Sequence, residues 1–173
     1  MNSLILIGAG GHCVSCIDVV EQEGKYRIAG IVEKNEIKSE KLLGYSYIGN
    51  DKILNLLINK FKFAIITIGQ IKNYTIREKM FHRLKEFGAS IPKIKSPYSY
   101  ISKHSNFDEG TIILHDVIVN ANVNIGKNCI INSKSLLEHD VIIGDHSHIS
   151  TNVTVNGNVR IGNCVFIGSG SII

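Results

Sequence analysis

Thirteen apolar residues stand six apart along the second half of this chain. They are Ile101, Phe107, Ile113, Val119, Ile125, Ile131, Leu137, Ile143, Ile149, Val155, Ile161, Ile167 and Ile173. No single strand or α-helix has a period of six. Two positions before most of them stands a small or β-branched residue: Thr111, Val117, Val123, Cys129, Ser135, Val141, Ser147, Val153, Val159, Val165 and Ser171. The period fits a prism of short strands, with one aliphatic residue per face turned to the axis. Three hexads close one coil, and coils stack at about 4.8 Å, the spacing of paired strands. Glycine or Asn directly after the apolar position, with glycine at Gly126, Gly144, Gly162 and Gly168, is expected to permit the bend to the next face.

The first half has another rhythm. Leu4–Ile7, Ile28–Val32 and Phe63–Ile68 read as strands. Gly11–Glu23, Lys52–Asn59 and Tyr74–Phe87 read as helices, the last stopped by Gly88. Strands alternating with helices predict a small parallel sheet, a Rossmann-like βαβ domain of the nucleotide-binding kind. Both prolines, Pro92 and Pro97, lie where the rhythm changes. The boundary is therefore set between a 1–95 domain and a 96–173 domain.

Composition narrows the function classes. With 44% hydrophobic and 20% charged residues the 173-residue chain is expected to fold without staples. No apolar run approaches the roughly 18–20 residues of a membrane helix. Leu4–Ile7 is too short for a signal-peptide core, so a cytoplasmic protein is expected. Four cysteines are too sparse for a disulfide framework, and Cys13-Val14-Ser15-Cys16 reads as packing rather than a redox pair. Residues 1–95 hold 15 Lys/Arg against 9 Asp/Glu, and residues 96–173 hold 4 against 6. The basic half lacks the Arg/Lys clusters of nucleic-acid binders. A mild positive field suits a phosphate-bearing small molecule, and equally an ordinary Lys-rich surface.

Particular motifs carry a resemblance. They are Ile7-Gly8-Ala9-Gly10-Gly11-His12, Ile68-Gly69, Leu137-Glu138-His139-Asp140, Ile143-Gly144-Asp145 and Ser147-His148-Ile149. Together with the hexads they resemble the hexapeptide-repeat sugar O-/N-acyltransferases of bacterial surface-glycan synthesis. These are the UDP-4-amino-sugar N-acetyltransferase and sialic acid O-acetyltransferase types. The resemblance implies a left-handed parallel β-helix and acetyl-CoA as acyl donor. It also implies a nucleotide-sugar substrate bound by the N-terminal domain, and a homotrimer with acetyl-CoA between neighbouring helices. Members of that family run one or two coils further and end on a Gly-x-Pro-Ala-Lys/Arg-like tail. Ile173 lies in mid-coil, so the chain reads as lacking its C-terminal coils.

The resemblance also implies the site residues. Gly10, Gly11 and His12, with Glu33, Lys34 and Gly69, would contact the nucleotide-sugar. Glycines before a helix let backbone amides approach a phosphate. Cys13 stands where a dinucleotide fingerprint has its third glycine, which argues against NAD. His139 would be the catalytic base, outside the prism because it follows Leu137 by two. Asp140, more than Glu138, would fix its tautomer. His148 and Ser169 would contact acetyl-CoA. A backbone amide or His148 would stabilise the oxyanion. No metal is expected, because His115, His139, His146 and His148 do not match the histidine spacing of zinc-binding β-helix enzymes. The competing readings are a sialic-acid-type O-acetyltransferase and a non-catalytic sugar-nucleotide-binding protein.

Overall fold

The computed structural model describes residues 1–34 and 41–173. Two compact units emerge: Met1–Gly69 with Ile76–Pro92, and Gln70–Thr75 with Lys93–Ile173. The second unit thus takes in six residues from the middle of the first half, a feature the sequence rhythm does not mark.

In the first unit the apolar runs become the middle of a sheet. Strand β1 (Asn2–Ile7) pairs in parallel with β2 (Tyr26–Val32) on one side and β5 (Phe63–Ile66) on the other. Leu4, Ile5, Leu6 and Ile7 are buried, as continuous apolar strands covered on both faces must be. Helices α1 (Gly11–Glu23), α2 (Leu54–Phe61) and α3 (Thr75–Glu86) connect and flank these strands. Helix α1 turns Cys13, Cys16, Ile17, Val19 and Val20 inward, and Gly24 ends it in the left-handed conformation.

The sheet is not wholly parallel. A short hairpin, β3 (Lys41–Leu42) and β4 (Tyr45–Gly49), adds an antiparallel edge and gives the order β3-β4-β2-β1-β5. Its two-residue turn is Leu43-Gly44, both at positive φ. A leucine there lacks the Asn-Gly or Asp-Gly signal by which such hairpins are read.

The second unit contains thirteen two-residue strands in three stacked parallel sheets. Each strand pairs with the one a full coil later, as in Ile118↔Leu136 and Leu136↔Thr154. The hexad residues from Ile101 to Ile167, with the apolar residues two positions before them, form one core, in which Val117, Val123, Leu137, Val141, Ile149 and Val155 are essentially inaccessible; Ile173 is exposed. The inward hydroxyls in that core find carbonyl acceptors. Thr111 Oγ1 donates to Gly126 O (2.7 Å) and Ser135 Oγ to Ser150 O (2.8 Å).

The corners correct one expectation. The glycines directly after the hexad residue do not make the bend, since none of Gly126, Gly144, Gly162 or Gly168 has positive φ. The left-handed residues lie two positions further on from these glycines. They stand six apart, one at each corner, and stack in three columns: Gly110, Asn128, His146 and Cys164; Asp116, Lys134, Asn152 and Gly170; and Asn122, Asp140 and Asn158. Asn and Asp dominate the corners because their short polar side chains tolerate that conformation best after glycine. Gly126 and Gly144 have another reason to lack a side chain. A Cβ on Gly126 would run into Asp145, and one on Gly144 into Asn163, both on the coil above.

Candidate active site

Two places gather the residues singled out by sequence, one in each unit. In the β-helix, Leu136–Leu137 forms a strand and the chain then turns its corner through Glu138, His139 and Asp140. Leu137 is buried, and the His139 side chain is 67% exposed. The ring therefore stands outside the prism. Asp140 is a left-handed corner residue (φ 64°), and its Oδ2 lies 2.7 Å from His139 Nδ1. An ionised carboxylate only accepts, so Nδ1 carries the hydrogen and Nε2 keeps its lone pair. The other neighbour goes elsewhere: Glu138 Oε2 accepts from Asn120 Nδ2 at 2.8 Å.

The next shell around the pair comes from the coils below and above. Asn122 Nδ2 donates to Asp140 Oδ1. That bond, then the one from His139, holds the Asp140 carboxyl below the usual carboxylate range. Above lies Gly157, where a Cβ would come within 2.7 Å of His139 Cε1 and 2.8 Å of Nε2. The imidazole rests against bare backbone.

His148 is placed differently. It is buried, its Nδ1 donates to the Gln70 carbonyl, and its ring lies 5.2 Å from that of Phe166. Its Nε2 is 3.5 Å from Asn132 Nδ2. Ser169 is exposed and shares a 2.9 Å hydrogen bond with Ser150.

In the first unit a cavity of about 560 Å³ opens at the carboxyl ends of β1, β2 and β5, where nucleotide sites form in open α/β sheets. Gly10, Glu33, Lys34 and Gly69 line it, together with Gly8 and Ala9. Gly11 and His12 do not. His12 Nε2 instead lies 3.3 Å from Cys16 Sγ, whose thiol burial pushes well up and makes unreactive. The first loop amides are already engaged: Gly8 N–H donates to Val32 O and Ala9 N–H to Glu33 Oε2, at 2.8 and 2.7 Å. Helix α1 begins with no side-chain cap, so its amino end remains the anion-attracting part. Gly8 has φ 102°, and a Cβ there would meet Ile68 Cγ1 at 2.5 Å.

Sequence reasoning missed three charged lining residues, Asp51, Lys79 and Arg83. Lys79 and Arg83 lie one turn apart on α3 with Ile76 and Met80, a spacing that could have marked one helix face. Arg83 donates to Asp51 O at 2.7 Å and lies 3.5 Å from its carboxylate. Buried Arg77 fixes the pocket wall by donating to Ile66 O and Ile68 O, at 2.7 and 3.0 Å.

Comparison with known proteins agrees with this architecture. Residues 3–84 match the PglD N-terminal domain, and residues 122–157 match the bacterial transferase hexapeptide (six repeats). One similar solved structure is a histidine-to-asparagine mutant of perosamine N-acetyltransferase from Caulobacter crescentus with CoA and GDP-perosamine. Its TM-score is 0.83 at 21% identity, over 100% of this chain and 89% of that one. Another is the acetyltransferase domain of PglB from Neisseria gonorrhoeae FA1090, with TM-score 0.82 at 20% identity, over 100% and 91%. Among curated proteins none matches the chain in sequence. The chain thus joins a PglD N-terminal domain to bacterial transferase hexapeptide repeats. Its fold is that of the sugar acyltransferases: an α/β Rossmann-like domain followed by a left-handed parallel β-helix.

Proposed function

We propose that this protein is an acetyl-CoA-dependent N-acetyltransferase acting on a nucleotide-linked amino sugar, of the UDP-4-amino-sugar type, in bacterial surface-glycan synthesis. One observation carries the reading: an exposed imidazole at a hexapeptide corner, with its Nδ1 engaged by a carboxylate. Perosamine N-acetyltransferase, of like fold, has been solved with CoA and a nucleotide amino sugar, and with a single histidine replaced by Asn or by Ala. The PglB acetyltransferase domain has been solved with acetyl coenzyme A.

The chemistry follows from the tautomer. His139 Nε2 accepts a proton as the sugar amine attacks the thioester carbonyl carbon and the C–N bond forms. The tetrahedral adduct collapses with cleavage of the C–S bond. His139 Nε2–H then protonates the departing CoA thiolate. Asp140 stabilises the intervening imidazolium. His148 donates through Nδ1 to Gln70 O, so its Nε2 is an acceptor in the neutral ring. A backbone amide is therefore the better oxyanion donor, and His148 with Ser169 is assigned to contact with acetyl-CoA. Gly10, Glu33, Lys34 and Gly69, which line the cavity, are assigned to the nucleotide-sugar, with Lys79 and Arg83 supplying further positive charge, and Gly11 and His12 are left out because they lie outside its lining.

The test is thiol release from acetyl-CoA with a UDP-4-amino-4,6-dideoxy sugar, its GDP counterpart and free sialic acid. Turnover with the UDP-amino sugar is expected. Turnover with the GDP sugar alone would change the nucleotide, and with sialic acid alone would make the acceptor a hydroxyl. Binding of the UDP-sugar without any binding of acetyl-CoA would overturn the enzyme reading.

A further inference from the structure

The corner that presents His139 has a second polar side chain stacked directly beneath it. Asn122 sits one full coil below Asp140, in the same left-handed column, and both are largely at the surface. The left-handed corner favours Asn but does not require its side chain to bond the coil above. Yet Asn122 Nδ2 points up the column and donates to Asp140 Oδ1, while Asp140 Oδ2 holds His139 Nδ1. Both carboxylate oxygens are thereby committed, and the plane of the carboxylate is fixed at two points. A surface carboxylate held only by the imidazole would rotate about its Cα–Cβ and Cβ–Cγ bonds. The adjacent pair behaves in parallel and serves as an internal control. Asn120, also a coil below its partner, draws Glu138 away, so one carboxylate reaches the ring and the other is kept off it.

We propose that Asn122 is a positioning residue for acyl transfer, the third member of an Asn122–Asp140–His139 chain that keeps the hydrogen on Nδ1 and Nε2 open. It acts through Asp140 and touches no reacting atom. The proposal rests on the reading of His139 as the base, and its test separates the two.

The experiment uses the full chain. Asn122→Gly removes the side chain and keeps the left-handed backbone without strain. Histidine-selective ¹⁵N NMR reads the His139 tautomer in the free protein, and acetyl-CoA thiol release reads kcat and KM. Asn122→Gly is expected to lower kcat roughly tenfold with KM nearly unchanged, the scale of losing a group that orients a functional side chain. The His139 signal should move from one Nδ1–H tautomer to a mixture. Asp140→Asn should lose more, and the double variant no more than Asp140→Asn alone, because both act on one chain. Asn120→Ala should leave the tautomer in place. An unshifted tautomer in Asn122→Gly, multiplying losses in the double variant, or an equal effect from Asn120→Ala would each overturn the proposal. If His139→Ala kept full turnover, the base reading would fall. The tautomer measurement would still decide whether Asn122 sets the imidazole.

Discussion

A single missing methyl group shapes the neighbourhood of the candidate base. Gly157 has ordinary φ, so Gly157→Ala should fold, yet its Cβ would press on His139 Cε1 and Nε2. We expect turnover to fall by about 10–100-fold, as misplacements of roughly 1 Å do, with the melting temperature nearly unchanged. Wild-type turnover would show that the ring has room to move. Asp140 gives a pH prediction. Its carboxyl is held low by Asn122 and then His139, so its contribution to stability is present above the ordinary aspartate range near pH 4. The contribution is lost as pH falls through the lowered native value. The difference in melting temperature between wild type and Asp140→Asn should therefore shrink as pH falls below about 4. The choice between Glu138 and Asp140 illustrates what sequence can carry. The hexad put both beside an outward His139. Which one reaches the ring depends on the left-handed corner at Asp140 and on two asparagines a coil away, and only the stacked coils bring those together.

At the scale of elements the two halves differ in legibility. The hexads made the β-helix readable because every inward position repeats the same demand, one aliphatic residue per face. Helix α1 was readable to its ends because a glycine stands at each. The β3–β4 hairpin was not, because Leu43 replaces the usual turn residues. The corners are marked in the sequence by Asn, Asp or Gly at most sixth positions, two residues beyond the glycines that follow the hexad residues. Leu137 ties the base to the core, being wholly buried one strand before the corner. Leu137→Ala should cost about 2–5 kcal/mol by chemical denaturation, the range for deleting a buried leucine. A loss under 1 kcal/mol would mean that the prism collapses freely around the gap. Arg77 ties the pocket wall by two carbonyls. Arg77→Met should weaken UDP-sugar binding measured by calorimetry, while leaving acetyl-CoA affinity intact.

The whole molecule is proposed to work as a homotrimer. One face of the β-helix leaves Tyr100 and Ile118 exposed, by 60% and 43%, beside Leu136 on the same sheet. A repetitive apolar face of this kind suits cyclic self-association. Light scattering should give about three times the 19.1 kDa chain mass. A stable monomer that turned over acetyl-CoA would remove the intersubunit site. The excess of Lys and Arg in residues 1–95 fits a phosphate-bearing ligand in the first unit, where Lys34, Lys79 and Arg83 meet. No helix among the described residues is long and apolar enough to cross a membrane.

In the proposed mechanism His139 removes the proton when an amine takes the acetyl group. This role is tested most directly by the pH dependence of thiol release for wild type and His139→Ala, at saturating acetyl-CoA and UDP-4-amino sugar. The variant is expected to bind both ligands and to lose at least about 10²-fold in kcat, the lower range for removing a general base. Near-wild-type turnover by His139→Ala would contradict it.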